Sequence, residues 1–239
     1  YTVTSYRGDL LLLICSSSLI LTMLHPTIPW SFCKPVDSTS FQLCLASTSP
    51  FRAQLLRQLG LPFEQVSPGV DEEAYRHLPP LDMATSLAEA KAKALSHRGG
   101  FVIGSDQVLE MDGEVFGKPG SVAAAVDQLC RLSGRTHRLI TAVALMEAES
   151  ERIVHDVDIH TLTMHSWTRA QLEAYVTHDM PLQCAGAYKL EQRGIALFER
   201  IQADPQAADS SAVVGLPLMK LVGLFRRLGV EVLDQNLGE

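Results

Sequence analysis

The sequence predicts an α/β domain: from Gln42 onward, short apolar runs alternate with amphipathic stretches of helical period, and Gly, Pro or Ser punctuation separates them. Its 239 residues suffice for one domain of two lobes or for two small domains, and one compact unit is the simpler reading. The apolar run 42–46 reads as a strand that enters a helix over 50–60, with Ser49 as cap, Pro50 in the first helical position and Gly60 as stop. A variable stretch, 64–80, carries Val70-Asp71-Glu72. It precedes a helix over 82–97 whose apolar side holds Met83, Leu87, Ala90 and Ala94. A strand over 100–105 ends at Asp106, Asp112-Gly113 marks a hairpin with a tight primed turn, and a helix over 121–132 stops at Ser133-Gly134. Strands over 136–146 and 152–165 follow, and Thr168 with Gln171 forms a capping box for a helix over 168–177. A strand near 194–200, an acidic, alanine-rich loop over 202–212 and a helix over 217–228 opened by Pro217 complete the pattern.

Composition narrows the function classes. A chain that is 46% hydrophobic, 20% charged and of net charge −7 is a soluble globular protein without the basic field that a nucleic-acid backbone requires. No nucleic-acid partner is expected, and a polyanionic ligand needs a local basic pocket. The five cysteines, Cys15, Cys33, Cys44, Cys130 and Cys184, are odd in number, widely spaced and without a CxxC pair, which argues against a disulfide scaffold or a zinc site and for a reducing, cytoplasmic setting.

Residues 1–40 stand apart. Residues 10–24 (LLLLICSSSLILTML) are apolar but shorter than the about 20 residues a spanning helix needs, and no clean signal-peptide cleavage site follows. The chain begins at Tyr1 rather than Met, so this stretch is read as an upstream extension or a misassigned start, with an anchor or targeting segment as the alternative. The folded domain is expected over 41–235, with no membrane contact.

Five places carry chemistry. In LCLASTSPFR, residues 43–52, a strand runs through a Ser/Thr turn into a helix start, where the dipole and free backbone N–H groups attract a phosphate with about 0.3–1 kcal/mol from the dipole. Ser49 caps the turn and Arg52 can add a bidentate clamp; an ordinary capped helix is the competing reading. Asp106, directly after the apolar Phe101-Val102-Ile103-Gly104-Ser105, occupies the carboxyl end of a strand, where open α/β sheets bind ligands. A carboxylate there can hold a divalent metal, orient a water or take its proton, or merely turn the chain. Lys118, in Gly117-Lys118-Pro119, can neutralise phosphate oxygens or be an ordinary loop lysine. Lys91 and Lys93 lie two apart on one helix, so only one of them can face a cleft, while Asp71 and Glu72 offer oxygen ligands suited to Mg²⁺ or Mn²⁺ or cap a turn. His155, His160 and His165 alternate along a strand and are assigned to surface or sheet face, and Cys184 to packing rather than nucleophilic attack.

Taken in order, LASTSPFRAQLL, Val70-Asp71-Glu72, GSDQV, GKP, LSG-x-x-H, CAGAYKLE and VVGLPL, spread over residues 43–233, resemble the Maf family of nucleoside triphosphate pyrophosphatases. The resemblance implies a two-lobed α/β fold with a central mixed sheet, flanking helices and a nucleotide cleft, similar to the inosine triphosphate pyrophosphatases. It also implies a divalent cation, Mg²⁺ or Mn²⁺, and cleavage between the α and β phosphates. By position, Asp106 is the proton acceptor, Ser47, Ser49, Arg52, Lys91 and Lys118 bind phosphate, and Glu72 joins Asp106 on the metal side. Phe51, Gln107 and Glu191 occupy the positions that sort substrates, and their aromatic, Gln and Glu pattern points to 7-methyl-GTP: a cationic base stacks on an aromatic face, and a carboxylate accepts from the N1 and N2 edge of guanine. Phe51 replaces the more usual Trp and offers a weaker cation–π surface; Ala90, where relatives carry Glu, and the enlarged 202–212 loop also depart from the family pattern. Cleavage of dTTP or UTP, and a nucleotide-binding regulator of cell division with little turnover, are the alternatives; a homodimer is left open.

Overall fold

The computed structural model describes residues 41–203 and 208–235. The expectations for residues 1–40, and part of the 202–212 loop, lie outside the described residues.

The first strand, β1 (Leu43–Ala46), is fully buried and ends at the Ser47–Ser49 turn, where the Ser49 side chain caps α1 (Pro50–Arg57) by accepting from Arg52 N–H. The variable stretch contains a short edge strand, β2 (Glu64–Val66), and a 3-10 turn at Glu72–Tyr75. Helix α2 (Pro80–Ala94) starts two residues before its expected Asp82, because Pro80 fits the first helical position. The expected strand at 100–105 proves to be the eleven-residue β3 (Phe101–Met111), so Asp106 lies in mid-strand. The apolar run broke at Asp106 in the sequence because that side chain faces a cleft, whereas the backbone continues its ladder opposite β5.

Asp112 and Gly113, at φ 56° and 83°, turn the chain tightly into β4 (Glu114–Phe116) with Met111 paired to Glu114. Helix α3 (Val122–Leu132), strands β5 (Thr136–Glu147) and β6 (Arg152–Met164), and α4 (Arg169–Asp179) with its Thr168/Gln171 capping box follow the expected order. The last strand is displaced from its expected span: residues Arg193–Leu197 coil as a 3-10 turn and β7 is Phe198–Ala203. Gly194 explains the coil, since a Cβ there would lie 2.4 Å from the Lys189 carbonyl oxygen. Helix α5 (Leu218–Arg227) follows a 3-10 turn at Ser210–Val214.

The strands form one mixed seven-stranded sheet in the order β2-β1-β3-β5-β6-β7, with β4 on the β1 side of β3. β1 pairs in parallel with β3 as far as Ala46–Gly104, and β4 begins its antiparallel pairing only at Leu109–Phe116. Among the described residues, none therefore forms a strand beside residues 105–108 of β3 on that edge. The sheet is notched there, and the notch separates two lobes.

One lobe's core packs Leu45, Leu56, Ile103, Leu145, Leu221 and Phe225 between the sheet, α1 and α5; the other packs Leu109, Leu129, Leu132, Leu139, Leu162 and Leu172 against α3 and α4. A third cluster lies under α2. That helix sits so close to β3 that a Cβ on Gly104 would lie 2.0 Å from the Ala88 carbonyl oxygen, which glycine alone avoids. Cys44, Cys130 and Cys184 are free thiols, and among the described residues no helix is long and apolar enough to cross a membrane.

Candidate active site

A cleft of 890 Å³ opens at the notch and is lined by Ser47, Ser49, Phe51, Arg52, Glu72, Lys91, Asp106, Gln107, Lys118 and Glu191. Residues from six separate segments thus meet in one hollow. Every residue to which the resemblance assigns a role borders it, whereas Asp71, offered with Glu72 as an oxygen ligand, does not and instead caps the 72–75 turn by accepting from Glu73 N–H at 3.1 Å.

Close packing of α2 on Gly104 brings Lys91 over Asp106, two residues on and on the same face of β3. Its buried ammonium lies 2.6 Å from Asp106 Oδ1 and 2.7 Å from Glu72 Oε1, so one cation bridges two carboxylates. Lys93, two residues on, points to solvent and pairs with Glu89 at 2.9 Å, as the helical spacing requires. Burial alone would raise the Glu72 pKa, but the Lys91 hydrogen bond and the charges of Lys91, Lys118 and Arg52 outweigh it and hold the carboxyl below the usual range. Lys118 is exposed on the far lip, 3.8 Å from Glu72 Oε2.

The Ser47–Ser49 turn is tightly held. Gln65 Nε2 donates to the carbonyl oxygens of Ser47 and Ser49 at 2.9 and 3.0 Å, and buried Ser47 Oγ accepts from Ser49 N–H at 3.1 Å and Arg52 Nη1 at 3.3 Å. Having accepted twice, the Ser47 hydroxyl keeps its proton for a ligand. The turn is less open than the sequence suggests: Ser47 and Ser49 N–H are used internally and Arg52 N–H by the cap, whereas the Thr48 and Phe51 N–H groups have no partner among the described residues. Arg52 is fixed by a segment far along the chain, since its Nε donates to the Gly215 carbonyl at 2.8 Å. Burial lowers the Arg52 pKa, and the Asp106 and Glu72 charges offset part of that effect.

At the opposite end, Gln107 Nε2 donates to Thr141 Oγ1 at 3.0 Å and to the carbonyl oxygens of Ala212 and Val213 at 2.9 and 3.3 Å. Glu191 is exposed at the mouth, yet partial desolvation by the cleft walls raises its pKa, against the opposing Lys189 charge. Burial also raises the Cys184 thiol, with Glu191 adding to the effect, so this cysteine is a poor nucleophile at neutral pH. Of the three singled-out histidines, His155 is exposed beside Glu89, His160 is buried on a sheet face 2.8 Å from Asp158, and His165 stacks edge-on with Trp167; none borders the cleft.

The family described as Maf-like protein matches residues 42–228. This chain belongs to the Maf family. Curated relatives of this Maf chain include proteins named 7-methyl-GTP pyrophosphatase from Xanthomonas oryzae pv. oryzae (strain MAFF 311018), at 43% identity over 79% of this chain and 97% of that protein. Others with the same name come from Syntrophotalea carbinolica, at 37% identity over 81% and 98%, and Vibrio parahaemolyticus serotype O3:K6, at 38% identity over 81% and 99%. A solved structure titled "Structure of a HAM1 protein from Coxiella burnetii" aligns with a TM-score of 0.47 at 14% identity over 79% of this chain and 100% of that one, too slight a likeness to carry an argument.

Three further members of the Maf cleft, and one buried residue behind it, are not singled out by the sequence. Arg76 and Lys189 line it, Gly215 holds Arg52 through its carbonyl, and buried Thr141 holds Gln107. Gly215, inside VVGLPL, and Lys189, inside CAGAYKLE, lie in motifs that could have flagged them; Thr141 sits in an apolar strand and is indistinguishable there from a β-former.

Proposed function

We propose that this chain is a nucleoside triphosphate pyrophosphatase that splits the α–β phosphoanhydride of 7-methyl-GTP or a similarly modified nucleotide. The observation that carries the reading is the single cleft shared by Asp106, by the cations Arg52, Lys91 and Lys118, and by Phe51, Gln107 and Glu191. The relatives' name, 7-methyl-GTP pyrophosphatase at 37% to 43% identity, agrees with it.

In this reading Ser47, the Thr48 and Phe51 N–H groups, Arg52 and Lys118 receive the triphosphate oxygens, and Lys91 keeps Asp106 and Glu72 aligned. Asp106 takes a proton from the attacking water; the water oxygen bonds the α phosphorus, and the anhydride oxygen leaves with pyrophosphate. Phe51 stacks on the cationic base and Glu191 accepts from its N–H edge. The hard carboxylate oxygens of Glu72 and Asp106 suit Mg²⁺ or Mn²⁺. Among the described residues no group of three or more His, Cys, Asp or Glu side chains could hold a metal ion, so a cation held by these two would complete its shell with phosphate and water. When bound, it supplies neutralisation of phosphate charge.

A screen of 7-methyl-GTP, GTP, UTP and dTTP with Mg²⁺ or Mn²⁺, reading pyrophosphate release, tests the assignment. The methylated nucleotide is expected to be preferred, and a strong preference for UTP would replace the substrate. Asp106→Asn is expected to lose about 10²–10⁴ in kcat with its circular dichroism unchanged. Turnover by that variant at the wild-type rate would remove Asp106 from its role.

A further inference from the structure

We infer that Thr141 is a specificity-positioning residue: it fixes which end of the Gln107 amide faces the cleft. The inference rests on the pyrophosphatase reading for its consequence, but its geometry stands apart. Gln107 and Thr141 are directly opposite in the β3–β5 ladder, on the sheet face that meets the 210–214 turn. Thr141 is buried, and its hydroxyl donates to the Ala212 carbonyl oxygen at 3.0 Å. A hydroxyl has one proton, so toward Gln107 it can only accept.

The amide end nearest Thr141 also reaches the Ala212 and Val213 carbonyl oxygens, which accept and never donate. Three acceptors surround one end, and only the NH₂ group satisfies them. Reversing the amide would set its oxygen against two carbonyl oxygens and an accepting hydroxyl, leaving the Val213 carbonyl oxygen without its donor and the Ala212 carbonyl oxygen with the Thr141 hydroxyl alone, a costly arrangement in a half-buried site. The Gln107 oxygen has no partner among the described residues, and the residue borders the cleft. The cleft therefore offers a fixed amide oxygen together with the Glu191 carboxylate, and two acceptors select a base edge with two adjacent N–H donors. Guanine has such an edge in N1–H and the N2 amino group, whereas uracil and thymine carry one N–H between two carbonyls.

Thr141→Val keeps the branched shape that suits the strand and removes the hydroxyl, while Thr141→Ser keeps the hydroxyl. The kcat/KM ratio of 7-methyl-GTP to UTP, measured by pyrophosphate release within one preparation, is independent of the active fraction. We expect Thr141→Val to lower this ratio about tenfold, the scale of one hydrogen bond's discrimination, and Thr141→Ser to hold it within about twofold. An unchanged ratio in Thr141→Val, or an equal fall in both variants, overturns the inference. A second readout is independent of turnover: the side-chain NH₂ protons of Gln107, assigned by NMR against Gln107→Ala, are expected to exchange slowly in wild type and Thr141→Ser and rapidly in Thr141→Val. Rapid exchange in the wild type overturns the locked amide. If the lock holds but no triphosphate is cleaved, the pyrophosphatase reading fails and the positioning stands.

Discussion

Lys91 decides the chemistry of the cleft because it is buried and pairs with both Asp106 and Glu72, and its place follows from three small residues, Gly104, Ala88 and Ala92, that let helix and strand touch. The same scale governs the pH response of the fold. His137, of the LSG-x-x-H motif, is buried against Tyr188 and Phe198, and desolvation pushes its pKa down to about 4 from 6.5. The unfolded chain then binds a proton that the folded chain refuses, so stability is fully present above about pH 6.5 and falls as pH drops toward 4, by up to about 3 kcal/mol. Thermal unfolding measured from pH 8 to 4 is expected to show this fall in the wild type and to lose it in His137→Phe; parallel profiles would remove His137 as its source. Residue identities such as Asp106 and Lys118 were legible because charge interrupts an apolar or Gly/Pro context. Thr141 was not, because a hydroxyl between valines, alanines and isoleucine signals a strand whichever partner it finds.

At the scale of elements, the notch exists because β1 leaves the sheet after Ala46 while β3 continues to Met111, where the Asp112-Gly113 turn sends β4 back along the same edge. Helix α2 then bridges the gap with Lys91. Gly104→Ala, whose Cβ would meet the Ala88 oxygen at 2.0 Å and the Ala92 nitrogen at 2.7 Å, forces α2 away from β3. It is expected to cost about 1–3 kcal/mol and to lower pyrophosphate release by displacing Lys91 from Asp106. Gly223→Ala in α5, where an added Cβ meets nothing within 4 Å, is expected instead to gain about 0.5–1 kcal/mol. Melting temperatures of the two variants check the contrast, and a stable, active Gly104→Ala would refute the close-packing account. Helix and hairpin boundaries were readable from Ser49, Thr168 and Asp112-Gly113, since caps and primed turns are local. The extent of β3 was not, because a cleft-facing carboxylate and a chain-turning one look alike in a linear sequence.

Across the whole molecule, β3, β5 and β6 each run through both lobes, giving Ile103, Val143 and Leu145 to one core and Leu109, Leu139 and Leu162 to the other. Shared strands couple the two cores, so the lobes are expected to unfold in one transition. Far-UV circular dichroism and Trp167 fluorescence, followed in a Trp30→Phe background, should report the same midpoint; separate midpoints would mean that each lobe folds alone. The sequence by itself determined the α/β class, the order of the elements and the residue types able to handle a triphosphate. Those follow from periodicity, capping and charge, which act over a few residues. The tertiary structure alone decided that β1 and β4 share an edge and leave a gap, that Lys91 rather than Lys93 enters it, and that Thr141 and the 212–215 backbone orient Gln107 and Arg52. Such contacts join residues between 15 and 163 positions apart, and only strand order and close packing, not local pattern, bring them within hydrogen-bonding distance.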